Sequence, residues 1–453
     1  MRMAQVAGHR KTNQSSRRGA GVRQLALTVA ASALLLGCTS EDDIILPGER
    51  FPVRAATADA SGAIEGAPAV SLPRAGTPTR WSHENGAPSH LASHVAIEHP
   101  LTRVWQTNIG RGSSKESRMT ASPVVADGRI FTLDAAAMVK ATGIDGTPLW
   151  SVSLAPDGEN ALDGFGGGVA VADGKVFATS GFGEIVTLDA ETGDEIWRQE
   201  LDAAVRAAPT VLGNKVFAVA RNDQAFGVDV DNGRVRWRTE GVEPDAGIVG
   251  GASPAAQGAL VVIPFASGEV VGALARNGRR IWSASISGGR RGTVRSRLSD
   301  ITGDPVIAGD AVYVANQSGR FVSLDRRNGT RNWIVNEGSF VPALPVGGSV
   351  YLMTDEARLM RINAASGATI WSVQLPLYED PEDRRAAYVH SGPVLAGGRL
   401  LIASGDGVVR SFDPQSGAAL GETQLDGAAI GQPAFADGLL LVVTANGTLT
   451  AFQ

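Results

Sequence analysis

The chain has 453 residues, of which 43% are hydrophobic and 19% are charged, so it can bury a large core and is not an intrinsically disordered protein. Its formal net charge of -5 disfavours a nucleic-acid-binding protein, which normally needs a basic face. The single cysteine excludes an internal disulfide and a cysteine-rich metal site.

The chain starts with a basic stretch that is followed by a short apolar run. Residues 1–24 contain arginine and lysine but no acid, and the run LALTVAASALLLGC then ends at Cys38. This order is typical of a secretory signal, and the run is too short to span a membrane comfortably. Its last residues, LLGC, resemble the bacterial lipobox, in which the cysteine is lipidated. We therefore expect a signal peptide at residues 1–37 and a lipid anchor on Cys38.

The residue after the cysteine bears on localisation. In enteric bacteria an aspartate directly after the lipidated cysteine tends to retain a lipoprotein at the inner membrane. Thr39 stands at that position here, which favours the outer membrane, with the protein anchored on its periplasmic face. Residues 38–100 are rich in Ala, Gly, Pro and Ser without a sustained period, and this composition predicts a flexible tether.

Four of the six histidines lie near the end of this predicted tether: His83, His90, His94 and His99. His90 and His94 would share one face of a helix and could hold a metal ion there. No helical pattern surrounds them, so surface or packing histidines are the favoured interpretation and no metal site is expected.

Tryptophan recurs at intervals of about forty to fifty residues, which indicates a repeat architecture. The recurring residues are Trp105, Trp150, Trp197, Trp237, Trp282, Trp333 and Trp371. The last six each follow a glycine four positions earlier: Gly146, Gly193, Gly233, Gly278, Gly329 and Gly367. A seventh copy keeps Gly417 but has Gly421 in place of tryptophan. Five copies have Asp or Asn four residues before the glycine: Asp189, Asp229, Asp325, Asn363 and Asp413.

Each repeat predicts a four-stranded antiparallel meander. An apolar, β-branched run such as EIVTL precedes a turn in which the Asp side chain can accept backbone N–H groups and the glycine permits a positive φ. An earlier pair of strands is joined by a hairpin such as ADG. Radial stacking of such sheets gives a β-propeller, with each tryptophan packed between adjacent blades and its indole N–H bonded to a neighbouring carbonyl.

The repeat count predicts an all-β, eight-bladed β-propeller over residues 101–453. Six blades end at the tryptophans from Trp150 to Trp371, and a seventh ends at Gly421. The eighth copy stops at Gln453 after three strands, so we expect the amino-terminal strand around Trp105 to complete it. This pairing would close the ring and leave the closing blade without a free edge.

The repeat TLDAETGDEIW resembles the PQQ-type β-propeller repeat, and the resemblance covers about residues 101–453. One class in that superfamily is the quinoprotein dehydrogenases, which hold pyrroloquinoline quinone over a tryptophan together with calcium and a catalytic Asp. Many of them also have a disulfide between adjacent cysteines, which this chain cannot form. No loop concentrates Asp, Glu and Asn as a calcium site requires. An enzyme of this class is the less favoured alternative, and no cofactor is expected.

The predicted lipobox, the chain length and the eight blades are similar to the outer-membrane lipoprotein BamB family, which belongs to the β-barrel assembly (BAM) machinery. A more specific match is RLSD, formed by Arg297, Leu298, Ser299 and Asp300 on the loop before blade five. In the family, acids of this loop help to bind the periplasmic POTRA region of BamA.

By this resemblance the four RLSD residues are expected to contact BamA. The sequence nearby departs from the family pattern. Thr302 stands where the family has a second acid, and Asp304 is a candidate to compensate for it. On the family's other contact loop Ile248 could supply the apolar contact, whereas Val249 replaces an arginine. An alternative interpretation of GGRRGTVRSRLSD is a solvated basic loop that an internal Arg–Asp pair holds in place.

These observations predict a non-enzymatic, lipid-anchored scaffold whose partners are BamA and other BAM subunits. Unfolded outer-membrane proteins are a further candidate partner. A propeller that binds cell-wall polysaccharide is a further alternative. No catalytic group is expected, because His390 is the only histidine within the blades and has no paired nucleophile. The glycine-rich residues 163–168 precede a strand, which favours an interblade crossover over a phosphate loop, and the charged insertion at residues 375–390 predicts an exposed loop.

Overall fold

The computed structural model describes residues 68–205, 207–242, 251–286, 288–290 and 299–453. The predicted signal peptide, Cys38 and three of the predicted contact residues, Ile248, Arg297 and Leu298, lie outside the described residues. Within the described part of the chain, no helix has the length and apolar character that crossing a bilayer requires.

The fold consists of four-stranded antiparallel sheets arranged as the blades of a propeller. The strands of blades one to four are β2 (Val124–Ala126), β3 (Arg129–Leu133), β4 (Met138–Gly143) and β5 (Pro148–Ser153); β6 (Gly168–Ala172), β7 (Lys175–Thr179), β8 (Glu184–Asp189) and β9 (Glu195–Glu200); β10 (Thr210–Leu212), β11 (Lys215–Val219), β12 (Gln224–Asp229) and β13 (Val235–Glu240); and β14 (Ala255–Gln257), β15 (Leu260–Pro264), β16 (Glu269–Leu274) and β17 (Arg280–Ser285).

The remaining strands complete the ring. Those of blades five to eight are β18 (Ile301–Ala308), β19 (Ala311–Asn316), β20 (Arg320–Asp325) and β21 (Arg331–Val335); β22 (Leu344–Val346), β23 (Ser349–Met353), β24 (Arg358–Asn363) and β25 (Thr369–Gln374); β28 (His390–Ala396), β29 (Arg399–Ser404), β30 (Val408–Phe412) and β31 (Ala419–Gln424); and β32 (Ala429–Ala436), β33 (Leu439–Thr444), β34 (Thr448–Phe452) and β1 (Arg103–Asn108). A small hairpin, β26 (Tyr378–Asp380) with β27 (Arg385–Ala387), and two 3-10 turns, Glu84–Gly86 and Ala161–Gly164, complete the described elements.

The predicted ring closure is confirmed. Strand β1 pairs antiparallel with β34, so that the eighth sheet has the order β1-β34-β33-β32. Thr102 and Gln453 exchange two backbone hydrogen bonds of 2.8 and 2.9 Å beside this pair. The two ends of the propeller therefore meet within one sheet.

The recurring tryptophans bond to the neighbouring blade. Each indole N–H donates to a backbone carbonyl in the turn between the third and fourth strands of the next blade. The pairs are Trp105–Ile144, Trp150–Ala190, Trp197–Val230, Trp237–Ala275, Trp282–Arg326, Trp333–Ala364 and Trp371–Gln415, at 2.9–3.3 Å. The turn glycine of that next blade lies under the ring, and a β-carbon at Gly193 would come within 2.8 Å of Trp150 Cδ2.

The aspartates of these turns act as predicted from the sequence. Asp189 Oδ1 accepts hydrogen bonds from the backbone N–H groups of Glu191 and Thr192 at 2.8 and 2.9 Å. These backbone donors lower the pKa of Asp189 because they stabilise its charged form. This turn is thus fixed by one carboxylate and by one glycine at positive φ, which is +83° at Gly193.

Residues 68–100, hereafter the axial segment, cross one end of the central channel and bond to the innermost strands around the ring. Trp81 exchanges two 2.8 Å backbone hydrogen bonds with Val125 of blade one. The next contacts follow the ring in order. They are Ser82 with Val171, His83 with Val211, Pro88 with Ala256, Ser89 with Ile307, Val95 with Leu395 and Gly397, and Pro78 with Asp437.

The axial segment corrects the predicted tether over these residues. Trp81 is only 2% exposed and its ring packs 5.4 Å from that of Phe435. The segment supplies hydrogen-bonding partners to innermost strands whose channel-facing edges would otherwise be unpaired, which explains why it is held against the ring. The tether prediction for residues 38–67 lies outside the described residues.

Candidate partner-binding face and central cavity

The antiparallel topology gives the propeller two different faces. The turns after the first and third strands of each blade lie on one face, here the turn face. The turns after the second strand and the connections between blades lie on the opposite face, here the loop face. The connection at residues 286–300, which carries the RLSD motif, joins β17 to β18 and is therefore on the loop face.

The start of this connection is fixed by hydrogen bonds and ion pairs to the next two blades. Arg290 donates to both carboxylate oxygens of Asp355, at 2.7 and 3.0 Å, and to Glu337 Oε2 at 2.8 Å. Burial by itself would lower the pKa of Arg290, but the hydrogen bonds and the charge of Asp355 raise it on balance. Asn316 Nδ2 also donates to the carbonyls of Ile286 and Gly288, each at 3.0 Å.

The end of the connection is buried rather than exposed. Asp300 is 5% exposed, while Ser299 is half-buried. Thr302, at the position where an acid was expected, donates from Oγ1 to the Ser339 carbonyl at 2.6 Å. The structure therefore anchors both described ends of the RLSD connection, and Asp300 is buried in the protein rather than exposed at its surface.

Asp304 lies apart from the RLSD residues, in the central channel. The register of β18 against β19 shifts between Gly303 and Val306, and such irregularities redirect side chains. Asp304 is 6% exposed, and its Oδ1 accepts the Ser253 N–H at 2.6 Å. Sequence reasoning placed Asp304 on a partner-binding loop, whereas its carboxyl group faces Glu84 of the axial segment.

A cavity of about 400 Å³ occupies the channel on the loop-face side of the axial segment. Every blade contributes residues to its wall, including Met119, Phe340 and Ile430, and Glu84 and Asp304 also line it. Glu84 Oε1 accepts the Ser122 hydroxyl at 2.8 Å. Glu84 was not identified from the sequence, and the only signal for it was its proximity to Trp81, the one tryptophan outside the repeat.

Both carboxyl groups of this acid pair favour the protonated form. Burial raises the pKa of Glu84. Burial, followed by the negative charge of Glu84, raises the pKa of Asp304 well above its ordinary value. Two adjacent carboxyl groups in a poorly solvated site cannot both ionise at low cost, so both effects raise the pKa of the pair and favour a shared proton.

Each of the four histidines of the axial segment forms a hydrogen bond with a backbone group of the described residues. His83 Nε2 accepts the Val211 N–H at 2.9 Å, and burial lowers its pKa to about 3. His90 bonds through Nδ1 to the Pro305 carbonyl at 3.0 Å, and burial lowers its pKa to about 4. His94 contacts Pro73 and Gly398, and His99 contacts Ala396. The described residues contain no cluster of three His, Cys, Asp or Glu side chains suited to a metal ion.

Two other features that the sequence indicated, His390 with the inserted hairpin and the glycine-rich residues 163–168, also have roles within the fold. His390 joins the Ser404 hydroxyl at 2.8 Å and the Pro376 carbonyl at 2.9 Å, so it fixes the base of the inserted hairpin. The tip of that hairpin is exposed, as predicted. Gly166 and Gly167 have φ values of +97° and +84°, which fits the predicted crossover into β6.

The cavity does not fit the quinone cofactor that related propellers hold. All eight tryptophans are described: seven pack between blades, and Trp81 is buried beneath the cavity floor. None of them lines the cavity as a stacking platform. Burial raises the pKa of both carboxyl groups at the floor, which disfavours the charged oxygens that calcium prefers. The described residues thus define a PQQ-type propeller whose axis is not built for that cofactor.

Comparisons with known proteins identify the family. The family model for the outer membrane protein assembly factor BamB matches residues 135–373 and 363–453. The chain belongs to this family. The outer membrane protein assembly factor BamB of Salmonella typhimurium is 28% identical over 357 residues, covering 77% of this chain and 88% of the relative. The Escherichia coli K12 protein of the same name is 27% identical over 355 residues, covering 77% and 88%.

Solved structures support the fold assignment. The crystal structure of BamB from Moraxella catarrhalis superposes with a TM-score of 0.66 at 20% identity, covering 78% of this chain and 99% of that one. Quinohemoprotein alcohol dehydrogenase from Comamonas testosteroni superposes with a TM-score of 0.67 at 15% identity, covering 83% and 81%. At these identities the similarity concerns the fold, and the propeller architecture is common to both classes.

Proposed function

We propose that this protein is a non-catalytic lipoprotein scaffold of the outer-membrane β-barrel assembly machinery. The observation that carries the proposal is the match of the BamB family model to the greater part of the propeller. In this proposal Cys38 carries the lipid, and the propeller is held at the periplasmic face of the outer membrane. Its main partner is the POTRA region of BamA, alongside other BAM subunits.

The proposed BamA contact lies on the loop face and uses Arg297, Leu298, Ser299 and Asp300, with Ile248 on the neighbouring connection. The anchoring of Arg290 to Asp355 and Glu337 supports it, because a connection fixed before binding loses less conformational entropy when a partner docks. In this proposal Asp300 contributes by holding the connection from within, whereas Asp304 faces Glu84 in the channel and lies apart from this contact.

A detergent pull-down from membranes tests the partner. The tagged wild-type chain is expected to recover BamA, and Arg297→Glu combined with Ile248→Asp is expected to lose most of it. Arg276→Glu is the matched control, since Arg276 is an exposed arginine on the turn face, between β16 and β17. Asp300→Asn, which keeps the side-chain size, is expected to weaken recovery with less disturbance than Asp300→Arg.

Other outcomes would reject parts of the proposal. Failure of the wild-type chain to recover BamA, or equal losses with the turn-face control, would reject the BamA contact. Tight binding of pyrroloquinoline quinone with alcohol-dependent dye reduction would reject the non-catalytic role. A Cys38→Ala chain that stays in the membrane fraction would reject the lipid anchor.

A further inference from the structure

The acid pair at the cavity floor has no cationic neighbour among the described residues. Neither Glu84 nor Asp304 takes part in an ion pair within the described ranges. The adjacent His83 is neutral, because its Nε2 accepts a backbone N–H and its pKa is about 3. Two closely placed carboxyl groups without a compensating charge among the described residues are costly to ionise.

One oxygen of the pair lies against the partner carboxyl group instead of an N–H or O–H donor of the described residues. Asp304 Oδ1 is satisfied by the Ser253 N–H, and Glu84 Oε1 by the Ser122 hydroxyl. Asp304 Oδ2 has no N–H or O–H donor in the part of the chain that the structure describes, and the residue is 94% buried. Its neighbour is the Glu84 carboxyl group, which can only share a proton with it. Apart from the Glu84 carboxyl group, the described residues thus leave this oxygen without a donor, which a ligand could supply.

The rest of the cavity is mostly apolar, with Thr120, Ser391 and Gln432 among its few polar side chains. Met119, Val341, Pro342 and Ile430 form the wall, and Phe340 and Val389 stand at its open end with 40% and 56% of their surfaces exposed. A volume of about 400 Å³ falls within the ordinary range for small-ligand sites. An apolar wall above an acidic floor is complementary to a cation on an aliphatic stem.

A metal ion fits this cavity less well than an organic cation does. Calcium takes roughly six to eight oxygen ligands, whereas the described lining holds only two carboxyl groups, and the described residues contain no cluster of three acidic, His or Cys side chains. A primary ammonium group needs only a few acceptors for its three N–H groups, and its methylene stem can pack against the apolar wall.

We propose that the central cavity binds a primary alkylammonium group against the carboxyl groups of Glu84 and Asp304. The group is either the side chain of a lysine presented by a protein segment or a free aliphatic amine. The site is on the propeller axis and does not depend on the proposed BamA contact at the RLSD connection.

Isothermal titration of the purified full-length chain tests the proposal with n-pentylamine, and with n-pentanol as its neutral counterpart. The amine is expected to bind saturably and the alcohol is not. Binding near neutral pH should release about one proton, seen as a dependence of the binding enthalpy on the buffer. The Glu84→Gln/Asp304→Asn chain should bind the amine at least about tenfold more weakly, since the charge it neutralises is gone.

Controls separate the site from general effects. Glu116→Gln removes an exposed acid from the connection that precedes blade one and should leave amine binding unchanged. Ile430→Trp fills the cavity without altering either carboxyl group and should also abolish binding. Circular dichroism and the urea midpoint establish that each variant is folded, so two independent variants report on the site.

Two peptides identify the source of the ammonium group. Binding of acetyl-Gly-Lys-Gly-amide, with no binding of its norleucine counterpart, would support the cavity as a lysine site. Binding of pentylamine alone would support a free amine. Equal binding of amine and alcohol, unchanged amine binding by both cavity variants, or saturable binding of calcium chloride alone would overturn the proposal.

Discussion

At the residue scale, the glycine of each blade's last turn meets two separate requirements. Gly193 has a φ of +83°, and a β-carbon there would lie 2.8 Å from the ring of Trp150. Gly193→Ala is therefore expected to lower the free energy of unfolding for two separate reasons. Positive φ costs an alanine about 1–2 kcal/mol, and the displaced tryptophan adds roughly 1–3 kcal/mol of overpacking. Urea unfolding monitored by circular dichroism measures the sum.

Gly174 provides the matched control within the same blade. It also has a positive φ, of +71°, but a β-carbon there would meet nothing within 4 Å. Gly174→Ala should show only the backbone cost. Equal losses of stability in the two variants would mean that the tryptophan contact does not constrain the turn.

The same residues show what periodicity can reveal. The regular return of Gly-x-x-x-Trp predicted the wedge between blades and its carbonyl partner, because every copy repeats one local geometry. Gly421, which breaks the pattern, also has a structural explanation. The next blade has the junction of Thr102 and Gln453 in place of a glycine turn, so no turn is present to receive a tryptophan. Glu84 and Asp304 occur once each and far apart in sequence, so no repeat could bring them together in a prediction.

At the scale of elements, the axial segment is the part of the fold that the sequence did not predict. It is neither a regular strand nor a helix, and successive residues such as Trp81, Ser82 and His83 bond to different blades. Such a path imposes no repeating pattern of apolar residues, so its Ala-, Pro- and Ser-rich composition is indistinguishable from that of a tether. Trp81 and the nearby histidines were its only individual signals.

The buried histidines of the axial segment predict a loss of stability in mild acid. The pKa values of His83 and His90 fall to about 3 and 4 in the folded chain, from an ordinary value of 6.5. Below pH 6.5 the unfolded chain therefore binds protons that the folded chain does not, so the stability contribution is complete above that pH and falls as pH decreases toward 4. By pH 5 the expected loss is about 2 kcal/mol for each histidine.

A His83→Gln/His90→Asn chain isolates this effect. Glutamine can accept the Val211 N–H, and asparagine tolerates the φ of +56° at position 90. Urea midpoints of both chains between pH 7 and 4.5 (about the range in which unfolded histidine titrates) should diverge as the pH falls, with the wild type losing more. Glu84 and Asp304 are present in both chains, so their titration cancels in the comparison. Parallel curves would show that these histidines do not stay neutral in the folded chain.

At the scale of the whole molecule, the amino-terminal part of the chain holds the ring of blades together in two ways. Strand β1 completes the eighth blade, with its partners running from Arg103–Phe452 to Asn108–Thr448. The axial segment then bonds to inner strands around the ring. The eight-bladed count and the closing strand were predictable because an incomplete last repeat needs a fourth strand, whereas the second link required the three-dimensional path.

This double attachment predicts that the ring survives a cut in the chain between β1 and β2. Lys115 and Glu116 lie exposed in the connection there, so a protease site inserted between them would be accessible. After cleavage, the amino-terminal piece should coelute with the rest of the propeller on size exclusion in native buffer, because β1 and the axial segment keep their hydrogen bonds and Trp81 stays buried. The two pieces should separate only in urea.

The same site inserted between Gly213 and Asn214, in the turn between β10 and β11, serves as a control for the effect of insertion alone. Release of the amino-terminal piece in native buffer would show that covalent connection, rather than the paired seam and the axial contacts, holds the ring closed.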